Sequence, residues 1–429
     1  MTSTFAVPNP LIACHECDLL NRVRPVPGGG TGRCARCRAA LYRDVPDSIA
    51  TTMWLSVAAA ILFVVANIYP ILTFKLEGRE QVATIVAGSI ELYRQGFQEL
   101  GILVICLSFL VPLARIAVAL YLLVPVHLGR VPWHLGPALR YFETLVPWAM
   151  SEVYLLGLIV AYVKLSDFAT LVVGPALYAF GALIVLTTWA SITLDHRILW
   201  NLVGYRAKSA AGGAGGAIGG TAAGHVGCHH CDLVVDGRSV PHASSLVARC
   251  PRCGGQLHRR KSQSLSRAWA FLIAAVICYV PANVLPIMTV ISFGQGQPDT
   301  ILSGVKALIG AGMYPVALIV FVASIFVPVL KIVVLAYLMI SVHRRAKWRR
   351  RERTVLFRIT EASGRWSMVD IFMISILAAL VKLGSIATIE PGAGAIFFAA
   401  VVVLTMLAAE AFDPRLIWDA AEDEHGKHP

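Results

Sequence analysis

Eight long apolar stretches, set apart by short polar ones, run along this chain in two groups of four. The first group falls at about Thr51–Phe74, Phe97–Val124, Val146–Val163 and Ala169–Leu194, the second at about Ala268–Phe293, Met313–Val342, Ser367–Val381 and Gly394–Phe412. Each is near the roughly 20 residues that carry a helix across a hydrocarbon layer of about 30 Å. Each group follows a polar segment with two Cys-x-x-Cys pairs, and a Gly/Ala-rich run over 209–227 separates the groups as a flexible linker. The pattern predicts an all-α polytopic membrane protein of about eight transmembrane helices, with two small β-rich four-cysteine modules. The expected divisions are 1–50 (ribbon), 51–208 (four helices), 209–227 (linker), 228–262 (ribbon), 263–418 (four helices) and a tail over 419–429.

The two groups are copies. Ala66-Asn67-Ile68-Tyr69-Pro70-Ile71 matches Ala282-Asn283-Val284-Leu285-Pro286-Ile287 at an offset of 216 residues, and Ser108, Pro112 and Arg115 match Ser324, Pro328 and Lys331 at the same offset. Beyond the second span the offset becomes 218: Trp148 and Glu152 match Trp366 and Asp370, Lys164 matches Lys382, and Asp195, Arg197 and Trp200 match Asp413, Arg415 and Trp418. An even number of spans per copy makes the repeats parallel in topology.

Composition agrees with lipid as the solvent: 57% of the 429 residues are hydrophobic and 14% charged, with mean hydropathy +0.69. The net charge is +12. Its densest run, Arg344, Arg345, Lys347, Arg349, Arg350, Arg351 and Arg353, directly follows an apolar segment, which fits anionic lipid rather than nucleic acid. Arg130, Arg140, Arg197, Arg206, Lys208, Arg259, Arg260, Lys261 and Arg267 lie on the same side of the spans, whereas the opposite loops mix signs. By the positive-inside rule both termini and both cysteine modules face the cytoplasm. The segment Leu11-Ile12-Ala13-Cys14 has the look of a lipoprotein processing site, but residues 1–10 supply neither a basic nor an apolar leader region.

Eight of the ten cysteines form the pairs Cys14/Cys17, Cys34/Cys37, Cys228/Cys231 and Cys250/Cys253. Two knuckles brought together by a short hairpin close a four-thiolate shell, and four thiolates leave a metal no open position, so two structural zinc ions are expected. His15, His229 and His230 sit beside the knuckles as exposed neighbours or substitute ligands.

Ionisable groups within spans face the bundle interior or a wet cavity. Ser324 and Lys331 are seven residues apart on one helix face, with Pro328 between them freeing a backbone carbonyl; Ser108, Pro112 and Arg115 repeat the arrangement. Ser367 and Asp370 share a face of the next span, Glu152 is the first-half counterpart of Asp370, and Thr405 lies in the last span. Opposite charges on adjacent helices predict the pairs Lys331–Asp370 and Arg115–Glu152. Lys164, Asp167 and Lys382 fall at the outer ends of the third spans. The bland reading makes these groups structural or snorkelling; the sharper one makes them a polar track for lipid headgroups or protons. The second half, with both Ser324 and Ser367, is the expected active half.

The four Cys-x-x-Cys pairs, the Asn-x-x-Pro turns at 67–70 and 283–286 and the Ser-x3-Pro-x2-Arg/Lys segments at 108–115 and 324–331 together resemble the paraquat-inducible protein A family of bacterial inner-membrane proteins. That family includes the LetA-type partners of envelope-spanning MCE tunnels, and the resemblance covers essentially the whole chain. It implies a subunit that moves lipid between inner and outer membranes with a periplasmic MCE-domain protein. There is no GxxxxGK[ST] loop for a nucleotide, so proton coupling through Asp370, Glu152 or a lysine is the physical candidate. The alternative is a membrane scaffold or redox sensor worked by the ribbons. An enzyme is not expected, because no nucleophile–base pair or HExxH motif is present.

Overall fold

The computed structural model describes residues 11–24, 26, 29–76, 79–166, 170–203, 225–236, 248–292, 295–310, 312–381 and 387–419. Among them eight helical segments are long and apolar enough to cross a membrane: Ser48–Ile68, Gln98–His127, Leu135–Val163, Pro175–Thr193, Ser264–Val284, Tyr314–His343, Arg350–Leu380 and Ala393–Ala411. They are called spans one to eight below. The chain is a multi-pass membrane protein.

The first and fifth spans are shorter than the apolar stretches that predict them. Each helix stops at the Asn-x-x-Pro turn, where Asn67 and Asn283 donate to the carbonyls of Phe63 and Tyr279 at 2.8 and 2.9 Å. The apolar residues beyond the turn are strand. β5 (Leu72–Leu76) pairs with β6 (Arg79–Ala83) and β7 (Thr170–Val173); β12 (Met288–Ser292) pairs with β13 (Gln295–Asp299) and β14 (Ala387–Pro391). Each sheet ties the exit of the first helix of its half to the entrance of the fourth. At that entrance Gly174 and Gly392 lie so near the backbone that a Cβ would stand 2.0 and 2.1 Å from the carbonyl oxygens of Pro70 and Pro286.

At the opposite end a second device repeats. Ser48 donates to the Thr193 carbonyl and accepts from the Asp195 N–H, at 2.6 and 2.8 Å; Ser264 does the same with Ala411 and Asp413, at 2.8 and 2.9 Å. First and fourth helices of each half are thereby fastened at both ends. The second helix of each half carries one wide π-type turn, at Cys106–Leu110 and Val322–Phe326. Pro112 and Pro328 come two residues after it. A proline cannot supply the N–H of a regular turn, and the π turn takes up the mismatch.

The third helices differ from expectation in their starts. Both begin well before the apolar core, as the amphipathic segments Leu135–Leu145 and Arg350–Ser363, and reach the membrane through a tight 3-10 turn. The membrane portions pack on each other at the centre of the molecule. Tyr154 meets Phe372 edge-on with centroids 5.4 Å apart, and Gly157 lies close enough for a Cβ to sit 3.1 Å from that of Phe372. The halves are not equivalent there: 82% of the apolar stretch of span seven is buried, against 44% in span three. The short helix Ala87–Arg94 seats itself on span seven, with Gly88 directly against Ser375; the equivalent helix Ile301–Gly310 does not pack comparably on span three.

Residues 209–224 of the expected linker lie outside the described residues. Its last three residues are strand: β8 (His225–Gly227) pairs with β9 (Val234–Asp236) to open the second ribbon. The close approach at Gly392 gives a direct test. Gly392→Ala is expected to lower the thermal midpoint in detergent, with a cost of about 1–3 kcal/mol for overpacking against backbone. Gly181, in mid-helix with open space around it, is the control, since Gly181→Ala should hold or raise the midpoint. Equal midpoints for the two variants would contradict this account.

Candidate metal centres and intramembrane polar site

Each ribbon is two hairpins, each with a Cys-x-x-Cys knuckle. In the first, β1 (Leu11–Ala13) pairs with β2 (Leu20–Arg22) and β3 (Thr31–Arg33) with β4 (Ala40–Arg43); in the second, β8 pairs with β9 and β10 (Ala248–Arg249) with β11 (Gln256–Leu257). Every knuckle ends on a residue in the left-handed region, Asp18, Arg38, Asp232 or Gly254, with φ of 59°, 61°, 55° and 69°. That conformation turns the chain back so that the N–H of that residue reaches the carbonyl of the knuckle's first cysteine.

The sulfurs converge. Cys14–Cys37 and Cys17–Cys34 are 3.4 and 3.5 Å apart, and Cys228–Cys253 and Cys231–Cys250 are both 3.5 Å apart. A tetrahedral ion with metal–sulfur bonds of about 2.3 Å sets its ligands near 3.8 Å from one another, whereas a disulfide brings them to about 2.05 Å. The geometry fits two buried four-thiolate groups that could each hold a metal ion, and these are the only such groups among the described residues. The neighbouring histidines serve contacts between elements. His15 Nε2–H donates to Asp232 at 2.7 Å and lies tilted beside His229, centroids 5.5 Å apart, across the two ribbons, while His230 faces Glu143 of span three at 3.7 Å.

The ribbons are exchanged between the halves. The first ribbon precedes span one, yet its Cys14, Cys17, Leu19, Cys34, Cys37 and Ala39 share a buried cluster with the second half, through Leu272, Leu338, Phe357 and Trp418. Arg358 at the start of span seven donates to Glu16 at 2.8 Å, Arg260 bridges Asp18 and Asp419, and Arg36 lies 4.5 Å over the Trp418 ring. The second ribbon docks on the first half: Leu233 and Leu257 join Leu139, Phe142 and Trp200, and Arg252 donates to Asn201 at 2.8 Å. The amphipathic starts of spans three and seven are the docking faces. Of the basic run at 344–353, Arg353 is buried and donates to the Ser341 hydroxyl and the Ala346 carbonyl at 2.9 and 2.6 Å, so that arginine works inside the fold and not toward a membrane surface.

Within the spans the second-half residues are buried, and two of them meet. Ser324, Lys331, Ser367, Asp370 and Thr405 are all at most 3% exposed. Lys331 Nζ donates to Thr405 Oγ1 at 2.9 Å, and that hydroxyl donates to the Val402 carbonyl. The tight turn over 364–368 packs on spans six and eight and carries Ser367 in; Gly364 faces the Lys331 tip, where a Cβ would lie 3.1 Å from Nζ. The hydroxyls of Ser324, Ser367 and Ser375 are buried with no hydrogen-bond partner, a cost of about 1–3 kcal/mol for each group left unsatisfied. Among the described residues the anticipated ion pairs are not seen: Lys331 donates to Thr405, Arg115 to Ser191, and Glu152 accepts from Thr188. In the first half Arg115 donates to Ser191 Oγ and to the Thr187 carbonyl, and Thr188 donates to Glu152 at 3.1 Å. In both halves the charged side chain of the second helix reaches the fourth helix. Asp167, Lys382 and the side chain of Lys164 lie outside what the structure describes.

Gly364, Ser375 and the ribbon exchange went unnoticed in the sequence. Gly364 falls just before the Trp366–Asp370 repeat motif and could have been found there; the exchange leaves no mark, because docking charges do not name their partners. The exchange makes a prediction. Cys14→Ser/Cys17→Ser should remove one of two metal equivalents per chain and speed tryptic cleavage within 344–353 by about fivefold or more, since local protection there depends on docking. Cys228→Ser/Cys231→Ser should remove one equivalent without that acceleration. Metal analysis and limited proteolysis of the detergent-purified protein check both; acceleration by the second pair alone would refute the exchange.

Comparison with known proteins agrees with this architecture. The family model described as Paraquat-inducible protein A matches residues 49–204 and 265–422, the two membrane halves. The Intermembrane transport protein PqiA of Escherichia coli strain K12 is 32% identical over 418 residues, covering 96% of this chain and 97% of that protein. The Lipophilic envelope-spanning tunnel protein A of the same strain is 33% identical over 415 residues, 96% of this chain and 92% of that one. A Probable intermembrane transport protein of Haemophilus influenzae is 30% identical over 430 residues, 99% of each. No solved structure matches. With both halves matched and relatives similar along nearly their full lengths, the chain belongs to the paraquat-inducible protein A family.

Proposed function

We propose that the protein is an inner-membrane lipid transporter subunit, moving phospholipid or other lipids between inner and outer membranes together with a periplasmic MCE-domain tunnel protein. Its relatives carry the names intermembrane transport protein and envelope-spanning tunnel protein, which supports the setting. The observation that carries the reading is the buried polar residues of the second half. Lys331 is 1% exposed and donates to the Thr405 hydroxyl, and in the same half the hydroxyls of Ser324 and Ser367 are buried with no hydrogen-bond partner. A structural ion pair would place a carboxylate against the ammonium, because a lone buried charge costs several kcal/mol. A track that admits a phosphate, or passes protons between Asp370 and Lys331, does not fix a carboxylate on the ammonium.

In this reading Ser324, Lys331, Ser367, Asp370 and Thr405 form the working track and Lys382 its outer end. Arg115, Glu152, Lys164 and Asp167 are the first-half counterparts. The ribbons lie in the cytoplasm, where each four-thiolate group holds a zinc ion that fixes its knuckles and thereby clips one half to the other.

Lys331→Ala and Asp370→Ala should each leave the protein folded in the membrane and lower detergent resistance of a transport-deficient strain to that of the empty vector. Full complementation by both variants, at wild-type protein levels, would remove Lys331 and Asp370 from the mechanism. Failure of Cys14→Ser/Cys17→Ser alone would point to the ribbons as the working part.

A further inference from the structure

His15 and His229 hold the same place in the two ribbons. Each is the second residue of a Cys-x-x-Cys knuckle, Cys14–Cys17 or Cys228–Cys231, and they lie 214 residues apart along the chain. Four thiolates fill the coordination of each ribbon ion, so neither ring is needed there. Where the exchanged ribbons meet, the two rings face each other, with centroids 5.5 Å apart and an interplanar angle of 34°. Both are open to solvent.

The ring nitrogens are spaced as a metal spaces its ligands. His15 Nδ1 and His229 Nδ1 are 3.4 Å apart. That is long for a hydrogen bond, which usually closes to about 2.7–3.2 Å. It matches the edge of a tetrahedron around an ion with metal–nitrogen bonds of about 2.0–2.1 Å, which is roughly 3.3–3.4 Å. The other nitrogen of His15 is engaged, since Nε2–H donates to Asp232 at 2.7 Å. A carboxylate on the far nitrogen fixes the tautomer that leaves Nδ1 its lone pair, as carboxylates do behind ligating histidines. Asp232 comes from the second ribbon, so that ribbon also orients the ring of the first.

The surroundings suit an ion with open positions. A cavity of about 290 Å³ borders both rings and is lined also by His230, Glu143, Asp195 and Arg197, which gives water room to complete the coordination. On that wall Arg197 lies over the Tyr42 ring at 5.0 Å. Arg415, whose charge reaches both rings, is neutralised by a two-bond pair with Asp413 at 2.8 and 2.9 Å. We propose that His15 and His229 together bind a divalent transition-metal ion that favours imidazole, such as Zn2+, through their Nδ1 atoms, with Asp232 behind His15. An ion held there joins the first ribbon, docked on the second half, to the second ribbon, docked on the first. The site does not depend on the transport reading.

Zn2+ alone is the probe. The full chain, purified in detergent with its ribbon metal and without a histidine tag, is dialysed against graded free Zn2+, and bound zinc is counted by elemental analysis. The wild type should take up a third equivalent beyond the two of the ribbons. His229→Ala should lose the third and keep the two. Asp232 stands in the left-handed region at φ 55°, which asparagine also tolerates. Asp232→Asn should therefore keep the knuckle and weaken the third equivalent about tenfold or more, the usual cost of losing a carboxylate behind a ligating histidine. His230, which faces Glu143 instead, is the control, and His230→Ala should bind three. Because one ion uses both rings, His15→Ala/His229→Ala should lose no more than either single change.

The site is overturned by the absence of a third equivalent in the wild type, by a third equivalent that survives His229→Ala, by partial losses in the single variants that sum in the double, or by unweakened binding in Asp232→Asn. Where an alanine variant also sheds ribbon zinc, Asp232→Asn decides, since it alters neither ring nor any thiolate. A weakened third equivalent beside two retained ones then upholds the site.

Discussion

Hydrocarbon offers no hydrogen bonds, so every polar group between the spans must find its partner in the protein. Most do so locally. Ser56, Ser108, Thr187 and Thr193 return their hydroxyls to the carbonyl four residues earlier on their own helices. A few reach further, and these hold the halves together internally: Ser48 and Ser264 lock first to fourth helices, and Arg115 and Lys331 tie second to fourth. The unmet hydroxyls of Ser324, Ser367 and Ser375, and of Ser89 on the short helix seated against span seven, stand out against that order, all of them buried.

Outside the membrane the constraint is different. Small ribbons have too little core to stand alone, and each one here gains its apolar contacts from a helix. The helices that receive them, Leu135–Leu145 and Arg350–Ser363, are the amphipathic starts of the two third spans, whose membrane parts meet as Tyr154 against Phe372 at the centre. Ribbon docking and the central contact thus act on the same two segments, one above the other. A shift of span seven relative to span three would be felt at Arg358–Glu16 and at Phe372 together.

Much of this plan was legible in the sequence. Apolar length placed the eight spans, and the paired cysteines placed the thiolate groups. The spacing from Ser324 to Lys331 put them on one face. Two kinds of feature were not legible. Apolar residues after Pro70 and Pro286 read as continued helix, because strand and helix share the same hydrophobic alphabet over five residues; only pairing with β7 and β14 decides between them. The ion pairs drawn between Lys331 and Asp370, and between Arg115 and Glu152, followed from charge and adjacency alone. They failed because in each half the cation of the second helix reaches a hydroxyl on the fourth helix, Thr405 or Ser191.

The exchanged ribbons have a consequence for ancestry. A half-length chain on this plan would own a ribbon that it cannot seat on itself, and a ribbon-binding helix face left bare. Two such chains would satisfy both needs by trading ribbons across a twofold axis, as domain-swapped dimers do. Joined end to end, the two copies no longer have to be identical. Freed from symmetry, one of them buried Lys331 and Asp370 while the other left Glu152 exposed.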